Sequence, residues 1–150
     1  MRLIFLILFS IYLNASSIEI TAKNFYHKED EYKAIFSINA VANDGNNTIN
    51  ADKIIVHLNK KNEAIKYEAI GNVKFTIKSD SRHIQGKSDK LIYNPIKDIY
   101  KLYGRVEVHD LLKNRDVYGD EMVIDQKNRS SYVKSHTKKP VKFIFKTEGK

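Results

Sequence analysis

One phrase, written three times with an opening echo, constrains this chain more than anything else in its sequence. Ile49-Asn50-Ala51-Asp52-Lys53-Ile54-Ile55-Val56 returns as Ile84-Gln85-Gly86-Lys87-Ser88-Asp89-Lys90-Leu91-Ile92-Tyr93 and as Val117-Tyr118-Gly119-Asp120-Glu121-Met122-Val123-Ile124, and Ile20-Thr21-Ala22-Lys23 begins it. A second phrase alternates with the first: Gly71-Asn72-Val73-Lys74-Phe75, then Gly104-Arg105-Val106-Glu107-Val108, and more loosely Pro140-Val141-Lys142-Phe143. The small residues Ala22, Ala51, Gly86 and Gly119 are 29, 35 and 33 positions apart, and Gly71 and Gly104 are 33 apart. A period of this size describes one supersecondary unit stacked several times, about four copies of roughly 33 residues, none able to bury its apolar face alone.

The apolar residues within each unit follow a period of two. Ala34, Phe36, Ile38 and Ala40 alternate with Ile35, Ser37 and Asn39, and Val73, Phe75 and Ile77 alternate with Lys74 and Thr76. That pattern predicts half-buried antiparallel strands. Asn43-Asp44-Gly45-Asn46-Asn47, Asn59-Lys60-Lys61-Asn62, Asn94-Pro95 and Gln126-Lys127-Asn128-Arg129 supply the turns. Around a dozen short strands are expected, folded as two facing sheets of a flattened jelly roll because a flat sheet of that size would curl. The class is all-β, and the inner faces should meet as an apolar slot.

The first fifteen residues read as an address. Arg2 is a positive n-region, Leu3 to Leu13 an apolar stretch broken only by Ser10, and Leu13-Asn14-Ala15 a cleavage site. Ala15-Ser16-Ser17 is a second legal site. These eleven residues rise only about 16 Å as a helix against roughly 30 Å of hydrocarbon, so export with cleavage is favoured over a retained anchor. Residues 16–150 then form a single domain, its last few residues frayed. The sequence has no cysteine, so the exported domain must be held by its core and its ladder of backbone hydrogen bonds. With 26 Lys and Arg against 18 Asp and Glu, the chain carries a net charge of +8, one less without Arg2. Such a surface suits anionic partners, or simply solubility.

A small residue followed by Asp between two apolar runs marks a bulge or corner where the strand changes inside-outside parity. Asp52, Asp89 and Asp120 are expected to satisfy backbone N–H groups there, since each stands without the paired carboxylates or clustered oxygen ligands of a catalytic or metal site. His27, His57, His83, His109 and His136 are single and carry no zinc spacing. No nucleophile elbow or phosphate-binding glycine loop occurs, so no enzyme, metal or cofactor is expected.

The two phrases, in this alternating order behind a cleavable signal, resemble the OstA-type, LptA-like family of periplasmic lipopolysaccharide-transport proteins over about residues 18–146. Phe36-Ser37-Ile38-Asn39-Ala40-Val41 departs from it, with Ile38 and Ala40 where Gly and Val are expected. The resemblance implies an open, slightly twisted β-jelly roll that holds the acyl chains of lipopolysaccharide or lipooligosaccharide and passes the lipid between membranes. It implies that Ile18 and Ile20 line the entrance to the slot and that Phe75 is an inward aromatic touching lipid. Parity adds Phe36, Ile38, Ile54, Val56, Val73, Leu91, Tyr93, Met122, Ile124 and Phe143 as lining residues. Core packing demands the same chemistry of each.

An open jelly roll leaves its first and last strands unpaired. By the resemblance, the N-terminal edge, about Ile18 to Phe25, meets an LptC-like partner. The C-terminal edge, about Val141 to Lys146, meets an LptD-like partner or another copy, so that head-to-tail self-association follows. Nucleic acid is not among the implied partners. Two other readings stay open: an LptC-like membrane-anchored component of the same machinery, and a secreted cationic module for polyanions, whose binding would fall steeply with salt.

Overall fold

The computed structural model describes residues 17–147. The signal expected over residues 1–15 lies outside the described residues. The described residues form ten antiparallel strands: β1 (Glu19–Thr21), β2 (Asn24–Lys28), β3 (Lys33–Asn43), β4 (Thr48–Leu58), β5 (Ala64–Ser79), β6 (Arg82–Asn94), β7 (Ile99–Asp110), β8 (Arg115–Asp125), β9 (Ser130–Lys134) and β10 (Lys142–Phe145). A 3-10 turn, Glu29–Glu31, joins β2 to β3. From β3 to β8 each strand pairs with its neighbour in the chain. The predicted turns fall where expected; in the first, Asp44 Oδ1 accepts the amides of Asn46 at 3.0 Å and Asn47 at 2.7 Å.

The strands are fewer and longer than the dozen expected, because β3 to β8 pass through their corners without ending. Every ladder from β3/β4 to β7/β8 has an irregularity at the same level, between Ser37 and Ala40, Asn50 and Lys53, Ile70 and Val73, Lys87 and Lys90, and Tyr103 and Val106, and β4/β5 has a second between His57 and Leu58. The positions at the shared level form one row across the sheet, running from Ile38-Asn39 through Asp52, Gly71-Asn72, Asp89 and Gly104-Arg105 to Asp120. Three members of the row place two successive residues in the left-handed region: Ile38 and Asn39 (φ 67° and 53°), Gly71 and Asn72 (85° and 47°), and Gly104 and Arg105 (78° and 46°). Such a pair breaks the pleat and re-aims the strand.

The corner carboxylates behave differently from the sequence expectation in two cases of three. Asp52 Oδ2 accepts from the Asn72 side chain at 3.0 Å. Asp89 Oδ1 accepts from Arg105 Nη2 at 2.6 Å and Nε at 3.0 Å. Only Asp120 takes a backbone donor, His136 N–H at 2.8 Å, and this N–H, together with the Thr137 and Ser135 hydroxyls, holds its carboxyl below the usual range. The difference is steric. Gly71 and Gly104 stand so close to Asp52 and Asp89 that a Cβ on either would overlap the carboxylate. The side chain next in sequence, Asn72 or Arg105, is the donor within reach.

Folding along this row turns the single sheet into two facing layers. One contains β1, β10, the C-terminal halves of β3, β5 and β7, and the N-terminal halves of β4, β6 and β8; the other contains β2, β9 and the complementary halves. Parity changes as predicted at the Asp corners of β4, β6 and β8, as in β4, where Ile49 and Ala51 are buried before the corner and Ile54 and Val56 after it; in β3, β5 and β7 the inward residues keep one parity through the corner, as Ala69, Val73 and Phe75 do. Residues from both layers form one continuous core. The layers close as an open jelly roll whose outermost strands, β1 and β2 on one side and β9 and β10 on the other, each keep a free edge.

Candidate ligand cleft

The interior is not uniformly accessible. In its centre Leu91 and Leu102 are 0 % exposed and Tyr100 is 1 % exposed, a packed core rather than a gap. Tyr67, Tyr93 and Tyr100 extend it outward as a stack, with ring centroids 6.0 Å and 4.3 Å apart. Across from them in the other layer lie Ile18, Ala42 and Ile49 and the β3–β4 turn residues Asp44 and Asn47, leaving a gap of only about 20 Å³. The Tyr93 hydroxyl donates to Asp98 at 3.2 Å. Burial, reinforced by the Asp98 charge, pushes its pKa up to about 12, and burial raises Tyr100 further. The stacked Tyr93 and Tyr100 rings close the space between the layers at this end.

Toward β8 the two layers part. The resulting cleft has a volume of about 400 Å³, within the range of small-ligand sites. Ile84, Val108 and Val117 form its wall on one layer, Met122, Ile124 and Val133 on the other, and Val141 and Phe143 lie at the outer edge. At its mouth stand Arg82, Lys113, Arg115 and Arg129 with one carboxylate, Asp110. The last strand hydrogen-bonds only to the N-terminal half of β8 and β9 only to the C-terminal half. That division leaves the gap between them open. Gly119 at the corner makes room for this arrangement, since a Cβ there would meet the Val133 side chain.

The predicted lining residues divide into four groups. Ile54, Val56, Val73, Phe75, Leu91, Met122 and Ile124 are buried in the shared core, and Met122 and Ile124 also reach the cleft. Ile18, Ile20, Phe36 and Tyr93 are half-buried and pack on that core. Phe143 is 43 % exposed at the outer edge of the cleft. Ile38 departs from the inward placement. It sits in the corner row at φ 67° and is 47 % exposed, because it occupies the backbone position that glycine holds in the other two corners.

Sequence reasoning missed Ile84, Val108 and Val117. The repeat carried the signal: Ile84 and Val117 open the first phrase where Ile49 does, and Val108 closes the second where Phe75 does. The four basic residues at the mouth gave no such signal, since they come from three separate turns and the first residues of the strands that follow them.

The family described as LptA/(LptD N-terminal domain) LPS transport protein matches residues 19–130. Among solved structures, LptH from Pseudomonas aeruginosa, described as the LptA-homologous periplasmic component of a conserved lipopolysaccharide transport device, superposes with a TM-score of 0.78. The alignment covers 88 % of this chain and 96 % of that one at 11 % identity, a likeness of fold. No curated protein matches at the level of sequence.

Proposed function

The chain belongs to the LptA/LptD N-terminal family of lipopolysaccharide-transport proteins, and from that premise we propose that it carries lipopolysaccharide or lipooligosaccharide across the periplasm with acyl chains held between its two layers. The observation that supports this most directly is the parting of the layers at β8, where an apolar cleft opens beside a free strand edge. Exposing an acyl chain to water costs about 0.8 kcal/mol per CH₂, so a lipid with several chains needs apolar cover throughout its passage. The packed centre, from Leu91 to Tyr100, then serves as the part of the slot that chains enter only when the layers separate further. Chains and core residues are interchangeable occupants of the same greasy volume.

Head-to-tail assembly extends that cover. The last strand presents Phe143, Ile144 and Phe145 at a free edge, all of them exposed. A strand added there continues the sheet and the cleft together. The opposite edge, β1 and β2, offers Phe25 and Tyr26, also exposed. We assign the first edge to an LptD-like partner or a second copy and the other to an LptC-like partner.

Photocrosslinking in cells tests the reading. A photoreactive residue at Ile124, Phe143 or Ile20 should yield adducts with lipopolysaccharide detected by antibody, whereas Lys60, in an exposed turn, and Ile38, at the corner, should yield none. Equal labelling at all five positions would end the proposal.

A further inference from the structure

We propose that the mouth of the cleft is a phosphate subsite, in which Arg82, Lys113 and Arg129 take the phosphomonoester head of an acylated lipid whose chain lies on Met122 and Ile124. The inference rests on the reading of the cleft as an acyl site and adds its polar end. Four cations line the mouth against a single carboxylate, Asp110. That carboxylate is already engaged, accepting from Arg115 at 3.3 Å and from the Lys113 amide at 3.1 Å. Neither Lys113 nor Arg129 forms an ion pair among the described residues. Arg82 shows the unmet demand most clearly: its Nη1 is buried and has no hydrogen-bond partner. A buried donor left unpaired is rare in folded proteins and points to a missing acceptor. The further carboxylate near Arg82, Asp125, is occupied by Asn128, whose amide and side chain donate to it at 3.1 and 2.8 Å.

A guanidinium presents planar, paired donors that match phosphate oxygens, and an ammonium adds a point charge. Here both stand directly above an apolar wall. An inorganic anion would use the charges and ignore the wall, whereas an alcohol with an alkyl tail would do the reverse. An acylated phosphomonoester uses both, and this complementarity selects it as the occupant.

Octyl phosphate, octanol and inorganic phosphate, each titrated into the exported domain and followed by methyl and amide NMR, separate the possibilities. Octyl phosphate should shift the Met122 and Ile124 methyls together with the Arg82 and Arg129 amides, and bind about tenfold more tightly than octanol. The exposed pair Lys113→Gln and Arg129→Gln should remove most of that advantage, as should Arg82→Gln separately, with octanol binding unchanged and the thermal midpoint reported for each variant. Equal affinity for octyl phosphate and octanol, or equal loss of both in the variants, would overturn the phosphate subsite and leave the acyl site standing. Inorganic phosphate binding as tightly as octyl phosphate would overturn the lipid assignment of the head. Failure of both octyl compounds to move the cleft methyls would overturn the acyl reading as well.

Discussion

The ring of Phe75 lies across Gly86: a Cβ at residue 86 would come within 2.5 Å of its Cζ. The two residues are direct partners in the β5–β6 ladder, and the absent side chain of one is the space the other fills. Gly86→Val is therefore expected to destabilise the domain by about 1–3 kcal/mol through overpacking. Urea unfolding checks it, and pairing the change with Phe75→Ala should recover part of the loss.

Ile38 holds a backbone conformation that costs a β-branched residue about 1–2 kcal/mol, and its side chain is largely in water. Ile38→Gly should raise the thermal midpoint, the relief of strain outweighing a small loss of apolar contact. A fall in the midpoint would show that Ile38 packs more than its exposure indicates.

The corner at Gly104 allows neither a Cβ nor a change of φ. Gly104→Ala places a methyl against Asp89 at φ 78° and should cost about 1–2 kcal/mol for the left-handed backbone alone. Gly45, also at positive φ but in open space, is the control: Gly45→Ala meets nothing within 4 Å and pays only the backbone strain. Chemical denaturation of the two variants should rank Gly104→Ala as the more damaging.

Asp116 joins Lys146, just after β10, to His109 of β7. His109 Nδ1 bonds the Asp116 carboxylate at 2.7 Å, and Lys146 Nζ lies 3.3 Å from the same group. Asp116, then Glu107, hold the His109 pKa above its ordinary value, while His109 and Lys146 hold Asp116 below its own. The raised histidine contributes fully below its unfolded pKa of about 6.5 and loses that contribution as pH rises through the native value. The depressed carboxylate contributes above its unfolded pKa of about 3.9 and loses it as pH falls through the native value. The stability this cluster lends the domain should thus be greatest between the two. Urea unfolding followed against pH should show the stability falling as the pH is raised past the His109 transition, and His109→Gln should abolish that part of the dependence.

Much of the wall was legible from local pattern. Period-two alternation places Ile54, Val56, Leu91, Met122 and Ile124 inward whatever surrounds them, since successive strand side chains must point to opposite faces. The recurring small-residue-Asp and Gly-Asn phrases likewise mark the corners, because few backbones accept two left-handed residues in succession. The exception, Ile38, shows the limit of that code: the row of neighbouring corners imposed the conformation on a residue that does not favour it.

Alternation settles which face each residue takes and says nothing of how far apart two faces stand. That separation is a long-range quantity, set by side-chain volumes across the core and by which loops bridge it. It closes the centre around Leu91, Leu102 and the tyrosine stack, and it opens the β8 end, where β9 and β10 divide one strand between them. The same folding brings Arg82, Lys113 and Arg129 to one mouth from positions far apart in the chain. The amino-acid sequence determined a corrugated, all-β sheet with an apolar inside; tertiary packing alone decided where that inside is accessible and what charge guards it.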